Sequence, residues 1–146
     1  MTRINVGIDV RELTDEHLMA EHREIKRLPW CLEAAIRSGS IDRVPEKFTL
    51  GKGHVLFFMN KMKYTYSRYQ KIHTELLSRG IRVQDYGNNW KAVDEKYFQD
   101  YVPNSDDRWA LIDRITTRIR ESKKDTWHYR GEPITKEEAI KLLRNE

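Results

Sequence analysis

The sequence has a single cysteine, Cys31, and no apolar run long enough to span a membrane. One thiol can form neither an internal disulfide nor a cysteine-rich metal cluster. The beginning of the chain also lacks the apolar stretch of a signal peptide, so we expect a soluble protein in a reducing compartment such as the cytoplasm. Its five histidines show no paired spacing for zinc, and we expect neither a metal nor a cofactor.

Hydrophobic residues are scarce as well, at 38% of the 146 residues, whereas charged residues make up 34%. Aromatic residues nevertheless reach 10% and include four tryptophans and seven tyrosines, which favours a packed domain over a disordered chain. The length fits one modest core, and we assign residues 1–146 to a single domain. The net charge of +4 favours an anionic partner such as nucleic acid, although charge alone does not decide the matter.

Strand-like alternation is limited to residues 81–84, while helical periodicity runs through much of the chain. We predict a first helix over residues 15–38, capped by Thr14 and kinked at Pro29. A second helix is predicted over residues 55–79, because a glycine follows it as a stop signal.

A third helix is predicted to begin at Ser105, which we expect to be its N-cap. Near the end of the chain, Thr135 and Glu138 form a capping-box pattern, and we expect residues 134–146 to be an additional C-terminal helix. The expected fold class is therefore all-α, in a compact single domain of about three main helices and a short C-terminal helix.

The polar side of the first predicted helix carries the side chains with the clearest chemical potential. At about 100° per residue, six of them fall together opposite the apolar stripe: Glu16, His17, Ala20, Arg23, Glu24 and Arg27. Two arginines one turn apart can bind successive phosphates, and a glutamate beside them can transfer protons. An ordinary solvated helix presents the same kind of face, so this pattern alone does not establish a site.

The start of the chain supplies a candidate nucleophile. Initiator methionine is normally removed before a small residue, so we expect the mature chain to begin at Thr2. An α-amino group has a pKa near ~7.7–8.0, against ~10.4 for lysine, and much of it is neutral at physiological pH. A neutral amine can attack the sugar C1′ of a nucleotide, displace the base and leave a Schiff base, after which β-elimination breaks the strand.

The segment over residues 123–130 mixes basic and aromatic side chains. Trp127 and Tyr129 within it are suited to stacking on an exposed base beside a nucleic-acid backbone. They are equally suited to packing on the core, and the sequence leaves both readings open. The glycine-rich run at residues 51–54 lacks the spacing of a phosphate loop and predicts only a tight entry into the second helix.

Four collinear blocks carry a resemblance to a known family: MTRIN at residues 1–5, HLMAEHRE at 17–24, LGKGHVLFF at 50–58 and TW at 126–127. Together they resemble the pyrimidine-dimer DNA glycosylases, the phage endonuclease V family of ultraviolet repair enzymes. The resemblance implies a compact helical domain that acts on lesion-containing double-stranded DNA without a cofactor. For a phage-encoded protein, the implied location is the cytoplasm of the host.

The resemblance also implies a two-step reaction, in which glycosidic bond cleavage is followed by cleavage of the abasic site. It assigns the nucleophilic amine to Thr2 and the essential carboxylate to Glu24, and it implies that the enzyme bends DNA and flips out a base. The implied DNA contacts are Arg3, His17, Arg23, Arg27, Arg120, Trp127 and Tyr129.

Some positions depart from the family pattern. Glu16 stands where the phage enzyme has a glutamine near DNA, so we expect an added negative charge there to affect binding or lesion preference. The aromatic tail after Trp127 is reduced, and the helix from Thr135 onward has no counterpart. These departures keep open the same chemistry on a different modified base or on a bare abasic site.

A second class of function is a DNA-binding module without catalysis. It requires a retained Met1 that blocks the Thr2 amine, or a Glu24 that is held in a purely structural ion pair. A nuclease is disfavoured, since the sequence shows no cluster of carboxylates suited to binding metal ions. We expect a monomer that associates with double-stranded DNA and not with a membrane.

Overall fold

The computed structural model describes residues 3–144. Its helices and strands follow one another as α1 (Asp15–Ile25), α2 (Leu28–Ser38), α3 (His54–Phe57), α4 (Met62–Ser78), α5 (Ser105–Glu121), β1 (Thr126–Tyr129), β2 (Glu132–Thr135) and α6 (Lys136–Arg144). Within the described range, no helix is both long enough and apolar enough to cross a membrane. Helical structure dominates, as predicted, but the two strands show that the fold is not purely all-α.

The first predicted helix is two helices, α1 and α2. Thr14 is the N-cap of α1, as predicted, and its hydroxyl accepts the backbone N–H of His17. Pro29 stands in the first turn of α2, where its missing N–H removes no helical hydrogen bond. The expected kink is therefore a complete break at residues 26–27.

The second predicted helix is also interrupted, between α3 and α4. Lys61 donates from Nζ to the carbonyl of Phe57 at 2.9 Å and to Oδ1 of Asn60 at 2.9 Å. Its side chain thus satisfies a carbonyl at the end of α3 that has no partner in the helix. Gly80 follows α4 in the left-handed region at φ 77°, which fits the stop signal in the sequence.

Side chains cap the two C-terminal helices. Asn104, and not Ser105, is the N-cap of α5, because its side chain accepts the N–H of Asp107. The capping box before α6 is confirmed, since the Glu138 amide donates to Thr135 Oγ1 and the Thr135 amide donates to Glu138 Oε1, both at 3.1 Å.

The hairpin formed by β1 and β2 corrects the all-α prediction. The two strands pair antiparallel, with Trp127 opposite Ile134. Arg130 and Gly131 make the turn, both with positive φ, at 52° and 82°. The alternating run at residues 81–84 forms no strand in the structure. Each strand has only four residues and one of the turn positions is a non-glycine, so the sequence shows no hairpin signal.

The core brings together side chains from all these helices and from the segment that precedes α1. Its buried members include Ile4, Val6, Ile8, Leu18, Ile25, Leu32, Phe57, Phe58, Met62, Tyr69, Ile72, Leu76, Leu111, Ile112, Ile115, Ile119, Ala139, Ile140 and Leu143. Residues 4, 6 and 8 therefore belong to the core although they lie outside any helix or strand. This packing places the start of the chain against α1, where the candidate site lies.

Candidate active site

The segment at residues 3–8 is anchored by burial. Ile4 and Val6 are 0% exposed and Ile8 is 1% exposed. Burying an aliphatic side chain contributes roughly 1.5–3 kcal/mol, so three of them hold this short segment firmly against the domain. Thr2, the predicted nucleophile, lies outside the described residues.

Glu24 lies against the residue that follows Thr2. Its Oε2 accepts the backbone N–H of Arg3 at 3.2 Å. The side chain projects from the polar side of α1 and is only partly exposed. The structure therefore brings two of the predicted site residues, Arg3 and Glu24, into direct contact.

Two more side chains bind the next two backbone amides. The N–H of Ile4 donates to His54 Nε2 at 3.0 Å. Asn5 donates to Glu21 twice, from its backbone N–H to Oε2 at 3.2 Å and from Nδ2 to Oε1 at 2.8 Å. Three consecutive amides are thus each bound by a side chain, two from α1 and one from the start of α3.

Glu21 is itself held by a buried arginine. Arg68, on α4, donates from Nε to Oε2 at 2.6 Å and from Nη2 to Oε1 at 3.0 Å. The side chains of Arg68 and Glu21 are 7% and 1% exposed. A third donor, Arg68 Nη1, reaches the carbonyl of Ile8 at 2.8 Å, so one guanidinium fixes both the carboxylate and the end of the segment.

Two arginines of α5 gather around Arg3. Burial lowers the pKa of Arg3, and the positive charge of Arg118 lowers it further, while Glu24 acts in the opposite direction. The pKa of Arg114 is likewise lowered by burial and by the charges of Arg118 and Arg3. Arg114 and Arg118 are one helical turn apart. The carboxylate of Glu24 is therefore beside a cluster of guanidinium groups suited to binding phosphates.

The other predicted arginines occupy different places. Arg23 lies one position before Glu24 on α1, Arg27 lies in the break before α2, and both are exposed. Arg120 is exposed but stands about 200° around α5 from Arg118, and its carbonyl receives Lys136 Nζ at 3.4 Å. The structure thus brings Arg118, and not Arg120, to the cluster.

Glu16 holds the hairpin to α1. Its carboxylate accepts hydrogen bonds from Lys124 Nζ at 3.0 Å, from His128 Nδ1 at 2.8 Å and from the His128 amide at 2.9 Å. Burial acts to raise the pKa of Glu16, but these hydrogen bonds outweigh it and lower the pKa to about 2. We expected the negative charge of Glu16 to act near DNA. In the structure, the carboxylate is bound by Lys124 and His128 of the protein itself.

Trp127 is packed on His17. The two rings stack with centroids 4.9 Å apart and planes at 10°, and Trp127 is 8% exposed. His17 Nδ1 lies 2.8 Å from the hydroxyl of Thr14. Burial lowers the pKa of His17 to about 4, so the ring is neutral at physiological pH. Of the two readings of Trp127, packing on the protein is the one that the structure shows.

Tyr129 also contacts the protein. Its hydroxyl donates to the carbonyl of Arg11 at 2.7 Å, and the guanidinium of Arg79 lies over its ring at 4.5 Å from the centroid. Both aromatic residues of the hairpin therefore fasten it to the domain.

A comparison with known protein families gives a match to the N-terminal part of the chain. The family model described as pyrimidine dimer DNA glycosylase matches residues 1–88 of this chain. The chain belongs to this family. The matched span includes the N-terminal segment, Glu21, Glu24 and His54, whereas α5 and the hairpin follow it. The resemblance drawn from the four sequence blocks is confirmed, and the family name places the chain among DNA glycosylases.

The contacts among the described residues place the carboxylate of Glu24 beside the backbone of Arg3 and near several cations. A carboxylate can accept and return a proton, and guanidinium groups can bind the phosphates on either side of a reacting nucleotide. Within residues 3–144, no three or more His, Cys, Asp or Glu side chains come together as metal ligands do.

Sequence reasoning missed five residues of the site: His54, Glu21, Arg68, Arg114 and Arg118. The periodicity of α1 puts Glu21 on the buried side, where an isolated carboxylate is costly, and this was an available signal. The partner that neutralises it, Arg68, is 47 positions away and carries no signal of its own.

Proposed function

We propose that this chain is a bifunctional DNA glycosylase and abasic-site lyase that removes pyrimidine dimers from duplex DNA. The Thr2 amine is the nucleophile, and Glu24 is its acid/base partner. The observation that carries the proposal is the 3.2 Å hydrogen bond from the Arg3 N–H to Glu24 Oε2. Since the Arg3 nitrogen is bonded to the carbonyl carbon of Thr2, it is only three covalent bonds from the Thr2 amine.

The proposed reaction proceeds in balanced steps. The neutral amine attacks C1′ of the lesion nucleotide, and the glycosidic bond breaks with its electron pair leaving on the base, which takes up a proton. Loss of a proton from the attached nitrogen and opening of the sugar give a Schiff base at C1′. A base then removes a proton from C2′, a C2′–C3′ double bond forms, and the 3′ phosphate leaves. Water hydrolyses the Schiff base and frees the amine.

The arginines supply the binding part of the proposal. The charge of Arg118 lowers the pKa of both Arg3 and Arg114, and the charge of Arg3 also lowers the pKa of Arg114. With Arg23 and Arg27 they give the site a row of cations for the phosphates around the lesion. Like charges held together in this way repel one another in the free protein, so binding a phosphate relieves a cost that is already present.

Borohydride trapping tests the proposal. The substrates are a duplex with one cis-syn thymine dimer and a matched duplex with one abasic site. Borohydride reduces the Schiff base to a stable covalent adduct, so we expect a trapped band on both duplexes. The band should disappear when the N-terminal amine is methylated. The rate of glycosidic bond cleavage at the dimer should fall about 10²–10⁴-fold in Glu24→Gln, because that variant loses general acid–base catalysis.

The matched control is Glu33→Gln, which removes an exposed carboxylate from α2 outside the site. Trapping on the abasic duplex alone would retain the lyase chemistry and move the base specificity to another lesion. Trapping on neither duplex, with Met1 shown to be removed, would leave a DNA-binding protein and refute the catalytic proposal.

A further inference from the structure

His54 is a buried histidine whose two ring nitrogens both have backbone partners. It is 1% exposed. Nδ1 lies 2.8 Å from the carbonyl of Thr49, and Nε2 lies 3.0 Å from the amide nitrogen of Ile4. A carbonyl can only accept and a backbone N–H can only donate, so Nδ1 carries the proton and Nε2 is the acceptor. The partners therefore select one neutral tautomer.

The position of His54 in the chain is fixed by local backbone geometry. Gly53, immediately before it, adopts the left-handed region at φ 98° and leads into α3. The His54 amide also donates to the carbonyl of Gly51 at 3.1 Å. The glycine-rich run therefore forms a tight turn that positions the imidazole of His54. Its spacing is not that of a phosphate-binding loop.

The ring reaches the N-terminal segment from α3, a different helix from the one that supplies the two carboxylates. Glu24 and Glu21, one turn apart on α1, bind the amides of residues 3 and 5. His54 binds the amide between them from the α3 side. A segment held at three successive amides by side chains of two helices cannot slide along α1 without losing at least one of these bonds.

We propose that His54 is a positioning residue that holds the N-terminal segment in register against Glu24. The catalytic consequence rests on the proposed function, in which the amine two residues before Ile4 is the nucleophile. A displacement of about 1 Å at a reacting group can cost about 10²-fold in rate. Loss of the Ile4 contact should therefore slow the chemical step more than it weakens DNA binding.

Two nearly isosteric variants test the two hydrogen bonds of the His54 ring separately. His54→Gln places an amide oxygen near the position of Nε2 and retains an acceptor for Ile4. His54→Asn places its amide near Nδ1, retains the bond to the Thr49 carbonyl and lacks the acceptor. The matched control is His22→Asn, because His22 is a buried histidine at 4% exposure whose ring contacts His73 and not the N-terminal segment.

The first readout is single-turnover borohydride trapping on an abasic duplex at saturating protein, with the dissociation constant measured separately. We expect His54→Asn to trap about 10²-fold more slowly while its dissociation constant changes less than about threefold. His54→Gln should stay within about fivefold of the unchanged protein, and His22→Asn should trap at the unchanged rate. Equal rates for His54→Asn and His54→Gln would overturn the proposal.

Amide hydrogen exchange provides a second readout that needs no enzymatic activity. If His54 merely binds its own partner, only the Ile4 amide should lose protection in His54→Asn. If it holds the segment in register, the amides of Arg3 and Asn5 should lose protection as well, and His54→Gln should restore all three. Loss confined to Ile4 would overturn the proposal. An unmodified protein that traps no duplex refutes the proposed function, whereas these exchange rates still decide the positioning role.

Discussion

The two ends of the chain are both fastened to α1 by carboxylates, but the surroundings of those carboxylates differ. At the N-terminal end, Glu21 and its partner Arg68 are almost fully buried. At the C-terminal end, Glu16 binds Lys124 and His128, whose side chains are each 45% exposed. Exposed ion pairs contribute little and are screened by salt, whereas buried pairs are screened much less. The hairpin has buried anchors of its own in Asp15 and Trp127, so the contrast lies between the buried Glu21–Arg68 pair and the exposed pairs of Glu16.

The family match follows the same division. It covers residues 1–88, which include the N-terminal segment and the three helices that hold it, α1, α3 and α4. The hairpin and α6 follow the matched span, and the hairpin attaches to the N-terminal turn of α1 through Asp15, which accepts the amides of Arg130 and Gly131. We therefore expect that disturbing the attachment of the N-terminal segment destabilises the whole domain. Disturbing the attachment of the hairpin should affect mainly the hairpin.

The largest expected effect comes from Arg68→Met. This change leaves Glu21 buried without its cation, which typically costs about 3–5 kcal/mol. We expect that loss in the free energy of unfolding, measured by urea denaturation at pH 7. The matched control is Arg11→Met, which removes the cation of an exposed pair with Asp9 and should change stability little. Similar losses in the two variants would remove the contrast between buried and exposed attachment.

Acid should weaken the N-terminal attachment through His54. Burial, with smaller effects of Arg3 and Arg114, lowers the pKa of His54 to about 4, while the Thr49 carbonyl and Glu21 act in the opposite direction. The unfolded chain, with an ordinary pKa near ~6.5, therefore binds the proton first. The contribution of the neutral ring is complete above about pH 6.5 and is lost as pH falls toward 4, for a total of about 3 kcal/mol.

The measurement is the free energy of unfolding between pH 4 and pH 7. His17 and His22, whose pKa values burial also lowers to about 4, add to the slope of the unchanged protein. The informative quantity is therefore the difference in slope between that protein and His54→Gln, which should reach at most about 1.4 kcal/mol per pH unit. Identical slopes would show that His54 is not the neutral acceptor of the Ile4 amide.

Moderate effects are expected on DNA affinity. Arg118→Ala should weaken binding to duplex DNA and lower the slope of log affinity against log salt by about one, because one phosphate contact is lost. Arg120→Ala is the matched control, since that arginine lies two positions away on another side of α5. Binding measured by fluorescence anisotropy from 50 to 200 mM salt distinguishes them. A larger effect of Arg120→Ala would instead assign the phosphate contact to Arg120, as the resemblance implied.

The sequence predicted much of the helical structure because helices depend on short-range signals. Periodicity over 11 or more residues predicts α1, and the N-cap at Thr14 predicts where it begins. The resemblance then assigned Glu24 to the start of the chain, and the contact with Arg3 agrees with that assignment. Helix breaks at residues 26–27 and 58–61 were missed, because a helical stripe can continue across a short break.

The parts that escaped prediction depend on contacts between distant residues. His54 meets Ile4 across 50 positions, and Arg68 meets Glu21 across 47. No local pattern encodes such a meeting, because burial and partner choice are decided only when the helices pack. Glu16 was expected to affect DNA binding because the resemblance places a glutamine near DNA at that position, and its protein partner His128, 112 positions away, could not be foreseen.

The smallest expected effect comes from Glu16→Gln. The carboxylate is partly exposed, and the side chains of its partners Lys124 and His128 are nearly half exposed, so its loss should cost about 1 kcal/mol at low salt. Raising the salt to about 0.5 M should reduce that cost, since the Debye length becomes short compared with the reach of these side chains. Urea denaturation at two salt concentrations, with Arg68→Met measured in parallel, separates the two attachments. A loss in Glu16→Gln that equals that of Arg68→Met and is unchanged by salt would mean that the hairpin is as integral to the domain as the N-terminal segment.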